Sequence, residues 1–220
     1  MKDVAELDAE IRRIWNNAVV DGISDLKTFN SAPRKILWIL KEPNKERPKQ
    51  TWDHREFHHK GVHLGYDRWK NTYQKIIKTS YAILAGWKDI KLIGFDPDSS
   101  YIEGENILSS VAIININKSG GTSSSLGQLI DGQYRAHRDF ILNQIKVIDA
   151  DIIINASRVD ALYEVILPGP SRNLRKIKVK YKIDGKRILI NTFHPNARIR
   201  EELYCNSIIE VVNRWKSRTS

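Results

Sequence analysis

"KILWIL", residues 35–40, is an apolar run with no polar residue between its first and last aliphatic side chains. A strand with one wet face alternates apolar and polar residues, so an unbroken run of this length predicts a strand covered on both faces, which is the habit of parallel sheets. The same pattern returns in "VAIINI" (111–116), in "IIIN" (152–155) and in "ILI" (188–190). Between these four runs lie stretches with helical spacing, 69–87, 128–148 and 159–166, and a fifth stretch at 199–215 closes the chain. Before them, Val4, Leu7, Ile11, Ile14 and Ala18 follow the three-then-four spacing of one helical face. Strand and helix alternate as parallel crossover units require. The expected fold is a three-layer α/β/α sandwich around a central, mainly parallel four-stranded sheet.

Two segments break the rhythm. Residues 44–68 form a long polar stretch carrying four histidines and several aromatics, and loops of that length in a compact domain are usually functional or disordered. In "RKIKVKYKIDGKRILI" (175–190), Lys176, Lys178, Lys180 and Lys182 alternate with apolar residues, so one strand face should be a row of ammonium groups. Asp184-Gly185 then reads as a tight turn, giving a basic hairpin extension.

The composition narrows the partners. Thirty-six Lys plus Arg against 26 Asp plus Glu leave a net charge of +10 on 220 residues, the balance expected of a protein that meets a polyanion, and DNA is the first candidate. The one cysteine, Cys205, excludes an intrachain disulfide framework and fits a reducing cytoplasm. No apolar run approaches the ~20 residues of a membrane span, and the first residues lack a signal-peptide pattern. A soluble, cytoplasmic, single-domain monomer with no obligate protein partner is the expectation.

Ligands of open parallel sheets gather where the strands end. The first strand runs into Lys41-Glu42-Pro43, with a carboxylate held extended by the following proline. The second delivers Asn115, Asn117 and Lys118, then the turn "SGGTSSS" beginning at Ser119. The third ends in Ser157-Arg158, and the fourth in His194-Pro195-Asn196 followed by Arg198, Ile199 and Arg200.

In that order, "ILWILKEPN", "VAIININKSGG" and "ILINTFHPNAR" resemble the signature segments of the uracil-DNA glycosylase superfamily, and the order of elements carries the resemblance across most of the chain from residue 35 onward. The resemblance implies one glycosylase-like domain over residues 1–220 and hydrolysis of the N-glycosidic bond of a flipped uracil or modified pyrimidine, without a cofactor. It gives Glu42 the water-positioning role beside Pro43, Asn115 the amide that reads the base edge, and His194 the donor to the departing base. Asn117 competes with Asn115 for the amide role. Asn196 stands where serine is usual in that family, Leu40-Lys41 replaces the first motif's glycine, and the cysteines of the iron-sulfur branches are absent. Phe57 and Tyr66, with Trp52, are candidates to stack on the base. Ser119, Lys118, Arg158, Arg198, Arg200, Lys178 and Lys180 are candidates to hold phosphates, and Ile199 falls where the family carries its inserting wedge.

Two other functions fit parts of the sequence. His54, His58, His59 and His63 in "DHREFHHKGVH" have spacings from which a helix could build a metal site for a nuclease. A basic protein of this fold could also bind DNA without cutting it.

Overall fold

The computed structural model describes residues 4–15, 17–43, 52–61, 67–92, 99–119, 127–174 and 179–219. In chain order the elements are α1 (Val4–Ile14), β1 (Val19–Val20), β2 (Gly22–Ile23), α2 (Leu26–Ser31), β3 (Ile36–Leu40), β4 (Trp52–Asp53), α3 (His54–His59), α4 (Asp67–Ala85), β5 (Tyr101–Ile102), β6 (Glu105–Asn106) and β7 (Val111–Asn115). There follow α5 (Gly127–Ala136), α6 (Arg138–Ile148), β8 (Ile152–Asn155), α7 (Asp160–Ile166), β9 (Arg172–Leu174), β10 (Val179–Ile183), β11 (Ile188–Asn191) and α8 (Glu201–Thr219).

The protein is a mixed α/β fold on a mainly parallel sheet. The four apolar runs became β3, β7, β8 and β11, adjacent and mutually parallel in the order β7-β3-β8-β11. Their side chains alternate between two cores. Ile36, Trp38, Ile113, Ile154 and Ile190 face α4 and α8 and pack with Ile76, Ile77, Tyr204 and Ile208. Leu37, Ile39, Ile114, Ile153 and Leu189 face the other way, onto Ile11 of α1, Ile141 and Ile145 of α6 and Leu162 of α7. Covering on both faces is the reason no polar residue interrupts these strands. Cys205 is buried in α8.

The expected four-stranded sheet needs correction, because among the described residues the sheet has seven strands, ordered β2-β7-β3-β8-β11-β10-β9. β2 adds antiparallel to β7 at one edge, and β10 and β9 add antiparallel beyond β11 at the other. The basic hairpin is present, but residues 184–187 form its connection, with Gly185 at φ 82° and Asp184 Oδ1 accepting from the Arg187 amide at 2.9 Å. Its lysine row is not uniformly wet. Lys180 is exposed, whereas Lys182 is 3% exposed, donating to Glu164 Oε2 at 2.7 Å with its ammonium 4.7 Å over the Tyr163 ring. Lys178 and Lys176 lie outside the described residues. The helix expected over 128–148 is two helices, broken at His137.

No helix among the described residues is long and apolar enough to cross a membrane.

Candidate functional site

The parallel strands end along a common line: Leu40 pairs with Asn115, Ile39 with Asn155, and Asn155 with Asn191. Pairing of the first two continues past the strands, since the Asn117 amide donates to the Lys41 carbonyl at 2.9 Å. That contact sets Asn117 beside Glu42. β3 and β11 flank β8, so their ends stand two strand spacings apart, about 10 Å.

His194 follows β11 and is partly buried. The Asn196 amide donates to its Nδ1 at 3.2 Å, so Nδ1 is an acceptor and the neutral ring carries its proton on Nε2. Burial, then the positive charges of Lys41 and Lys75, push its pKa down to about 4. The ring is therefore uncharged at neutral pH and remains a hydrogen-bond donor.

Glu42 accepts from Asn117 Nδ2 at 3.1 Å on Oε2, while its Oε1 is buried and meets no donor among the described residues. Burial raises its carboxyl above the ordinary 4.5, opposed by the Asn117 donor and by Lys41. Asn117 is fixed in turn, its Oδ1 accepting from the Ser119 amide at 3.0 Å. Pro43, next in the chain, is buried.

Asn115 and Lys118 belong to a different construction. Asn115 is fully buried, and its backbone amide and Nδ2 both donate to Asp21 Oδ2, at 2.8 and 3.2 Å. A carboxylate at this distance fixes the orientation of the amide, because the flipped form would set oxygen against oxygen. The expectation that Asn115 reads a base edge is corrected in part: it is fully buried with Nδ2 donating to Asp21, its Oδ1 meets no donor among the described residues, and the carboxamide standing beside Glu42 is Asn117. Lys118 is also fully buried, donating to both Asp21 oxygens at 2.7 and 3.0 Å and to Gln144 Oε1 at 2.8 Å. It is a core ion pair, not a phosphate ligand. Sequence reading missed Asp21 and Gln144, which lie 97 and 26 residues from Lys118.

The remaining expectations divide. Arg198, Arg200 and Asn196 are exposed along the segment after His194. Arg158 is exposed at the exit of β8 with φ 65°, a left-handed conformation that costs a non-glycine residue of order 1 kcal/mol, and its guanidinium lies 5.0 Å over the Phe193 ring. Ile199 is corrected: it packs against the core beside α4 and α8, so it is not a projecting wedge. Phe57 likewise packs on the core among Trp52, His54 and Tyr73. Tyr66 and the turn from residue 120 to 126 lie outside the described residues.

His54 and His58 are buried with the Tyr73 hydroxyl between them, 2.6 Å from His54 Nε2 and 3.0 Å from His58 Nε2. Burial pushes His54 down to about 4 and His58 well below the ordinary 6.5. Both Nε2 atoms are thus engaged by one hydroxyl, and no group of three or more metal-ligating side chains gathers among the described residues. His63 lies outside them.

A hollow of about 390 Å³ opens between Asn71 and Lys75 of α4 and the segment 196–201. Lys75, another residue sequence reading passed over, is 5% exposed and donates to the carbonyls of Ala197 and Ile199 at 3.0 Å each. No protein-family model matches the chain, and no curated protein matches it.

Proposed function

We propose that this protein is a DNA glycosylase that hydrolyses the N-glycosidic bond of a uracil or modified pyrimidine turned out of the DNA stack. The observation that carries the reading is the neutral, Nε2-protonated His194 at the sheet end that also holds the Glu42–Asn117 pair. Breaking a glycosidic bond develops negative charge on the departing base and positive charge on the sugar. His194 Nε2–H stabilises the base oxygen without first losing a proton, and ionised Glu42 stabilises the sugar and orients the attacking water through Oε1. Asn117 holds Glu42 in place.

The strongly basic composition supports DNA as the partner, with Arg158, Arg198, Arg200 and Lys180 exposed to meet phosphates. In this reading the four parallel strands are the central sheet and the antiparallel strands are edge additions. The protein acts as a cytoplasmic monomer, without a cofactor, in repair or in defence against modified DNA.

The test is incubation with oligonucleotides bearing uracil, hypoxanthine, 5-hydroxymethyluracil or glucosylated cytosine, in EDTA, with any liberated base identified by mass. A free base and an alkali-labile abasic site are expected from a pyrimidine substrate. Salt-sensitive binding without release would make the protein a non-catalytic DNA-binding module, and backbone cleavage abolished by EDTA would make it a metal-dependent nuclease.

A further inference from the structure

His194 is gripped from two sides by helices remote from it in sequence. On the side before it, the Tyr204 hydroxyl of α8 donates to the Phe193 carbonyl at 2.9 Å. On the side after it, the Lys75 ammonium of α4 donates to the carbonyls of Ala197 and Ile199. The two grips are joined, because the ammonium also lies 5.1 Å over the Tyr204 ring.

Burying an ammonium costs several kcal/mol, and an aliphatic side chain of the same length would fill this place without that cost. Lys78, three residues on in the same helix, makes the ordinary use of a charge, an ion pair with Glu201. Lys75 instead spends two of its three donors on main-chain carbonyls. A main-chain carbonyl accepts more strongly from an ammonium than from a neutral donor, and the same charge also faces the His194 segment. Among the described residues, charged groups facing the His194 segment include Lys41 from the exit of β3, Lys75 from α4, and Arg158 from the exit of β8 through its stacking on Phe193. Glu201, at the start of α8, is held by Lys78.

We infer that Lys75 is a positioning residue for His194: its bonds to the Ala197 and Ile199 carbonyls, with the ammonium over the Tyr204 ring, fix the segment that carries the imidazole and place a cation on its α4 side. Its effect on rate rests on the glycosylase reading; its effect on the imidazole does not.

Two variants test it in the full chain, Lys75→Met, which removes charge and donors, and Lys75→Gln, which removes the charge but keeps two N–H donors. The His194 Cε1–H resonance is followed against pH, and single-turnover base release is measured beside DNA affinity. In the parent protein the imidazole titrates near 4. In both variants the midpoint moves up by a small part of its displacement from 6.5, because one of two like charges is removed while burial and Lys41 remain. Lys75→Met loses ~10- to 100-fold in base release at neutral pH through misplacement of the ring, with affinity changed less than about threefold, and Lys75→Gln recovers most of that rate. Should Lys75→Met not fold, the titration of Lys75→Gln decides alone. An unmoved His194 midpoint overturns the inference. Absence of base release by the parent protein overturns the glycosylase reading instead and leaves the titration to judge Lys75.

Discussion

At the same end of one sheet, the exit of β7 and the exits of β3 and β11 use similar side chains to opposite ends. At β7, Asp21, Lys118, Gln144 and the Asn115 amide close on one another, and Lys118 and Asn115 are wholly buried. At β3 and β11, among the described residues, Glu42 keeps a bare oxygen and His194 an N–H with no acceptor, and both are only partly buried. A lysine and an asparagine in a strand-end motif therefore say little by themselves. What separates the two regions is that the charges at β7 are paired with each other inside the core, although Asn115 Oδ1 meets no donor among the described residues, whereas Glu42 and His194 are only partly buried.

Breaking the closed region should give the largest effect. Asp21→Ala leaves the Lys118 ammonium buried and unpaired, and a loss of about 3–5 kcal/mol in denaturant-measured stability is expected. A loss within about 1 kcal/mol would mean that this region is not the locked core described. The open region should respond in rate: His194→Ala is expected to lower base release ~100- to 1000-fold with little change in melting temperature. A comparable fall in stability would erase the distinction between the two regions.

Acid separates them further. His54 is held neutral by burial, which outweighs the nearby Asp21 carboxylate, its folded pKa near 4 against the ordinary 6.5. Between those values the unfolded chain binds a proton that the folded chain does not, so stability is complete above 6.5 and is lost as pH falls towards 4. His54 alone should account for about 3 kcal/mol, and His58, shifted the same way, adds to it. Denaturant titrations at intervals from pH 7 to 4 check this, and a His54→Phe variant should flatten the dependence. The smallest effect falls on Asn117→Ala, which strips Glu42 of its only side-chain donor among the described contacts. Base release should fall about tenfold at neutral pH, and the acid limb of its pH profile should move upward as the carboxylate becomes easier to protonate.

The sheet was legible because burial on both faces leaves a mark in the sequence, an apolar run with no period, and all four such runs became adjacent parallel strands. The edge strands were not, since two residues such as Gly22–Ile23 or three such as Arg172–Leu174 are too short to show any alternation. Alternation misled at Lys182, where α7 covers a face that the spacing predicted to be wet. Among the candidate residues, the positions of Glu42, Asn117 and His194 just past buried strands were legible. Asn115 and Lys118 share that position, and their confinement depends on Asp21, more than 90 residues away. The histidines of α3 invited a metal because nothing nearby in sequence announced that Tyr73 would span them. Lys75 left a faint signal: with Thr79 and Ala82 it lies at the four- and seven-residue spacing of a buried helical face, where a lysine is out of place.

The most direct test is a double-mutant cycle on single-turnover base release in EDTA, with the parent protein, Glu42→Gln, His194→Ala and the pair combined. If the carboxylate and the imidazole act on one transition state, the parent frees a base and the combined variant loses far less than the product of the two single losses. Losses that multiply as for independent groups, or a parent protein that frees no base at all, would contradict it.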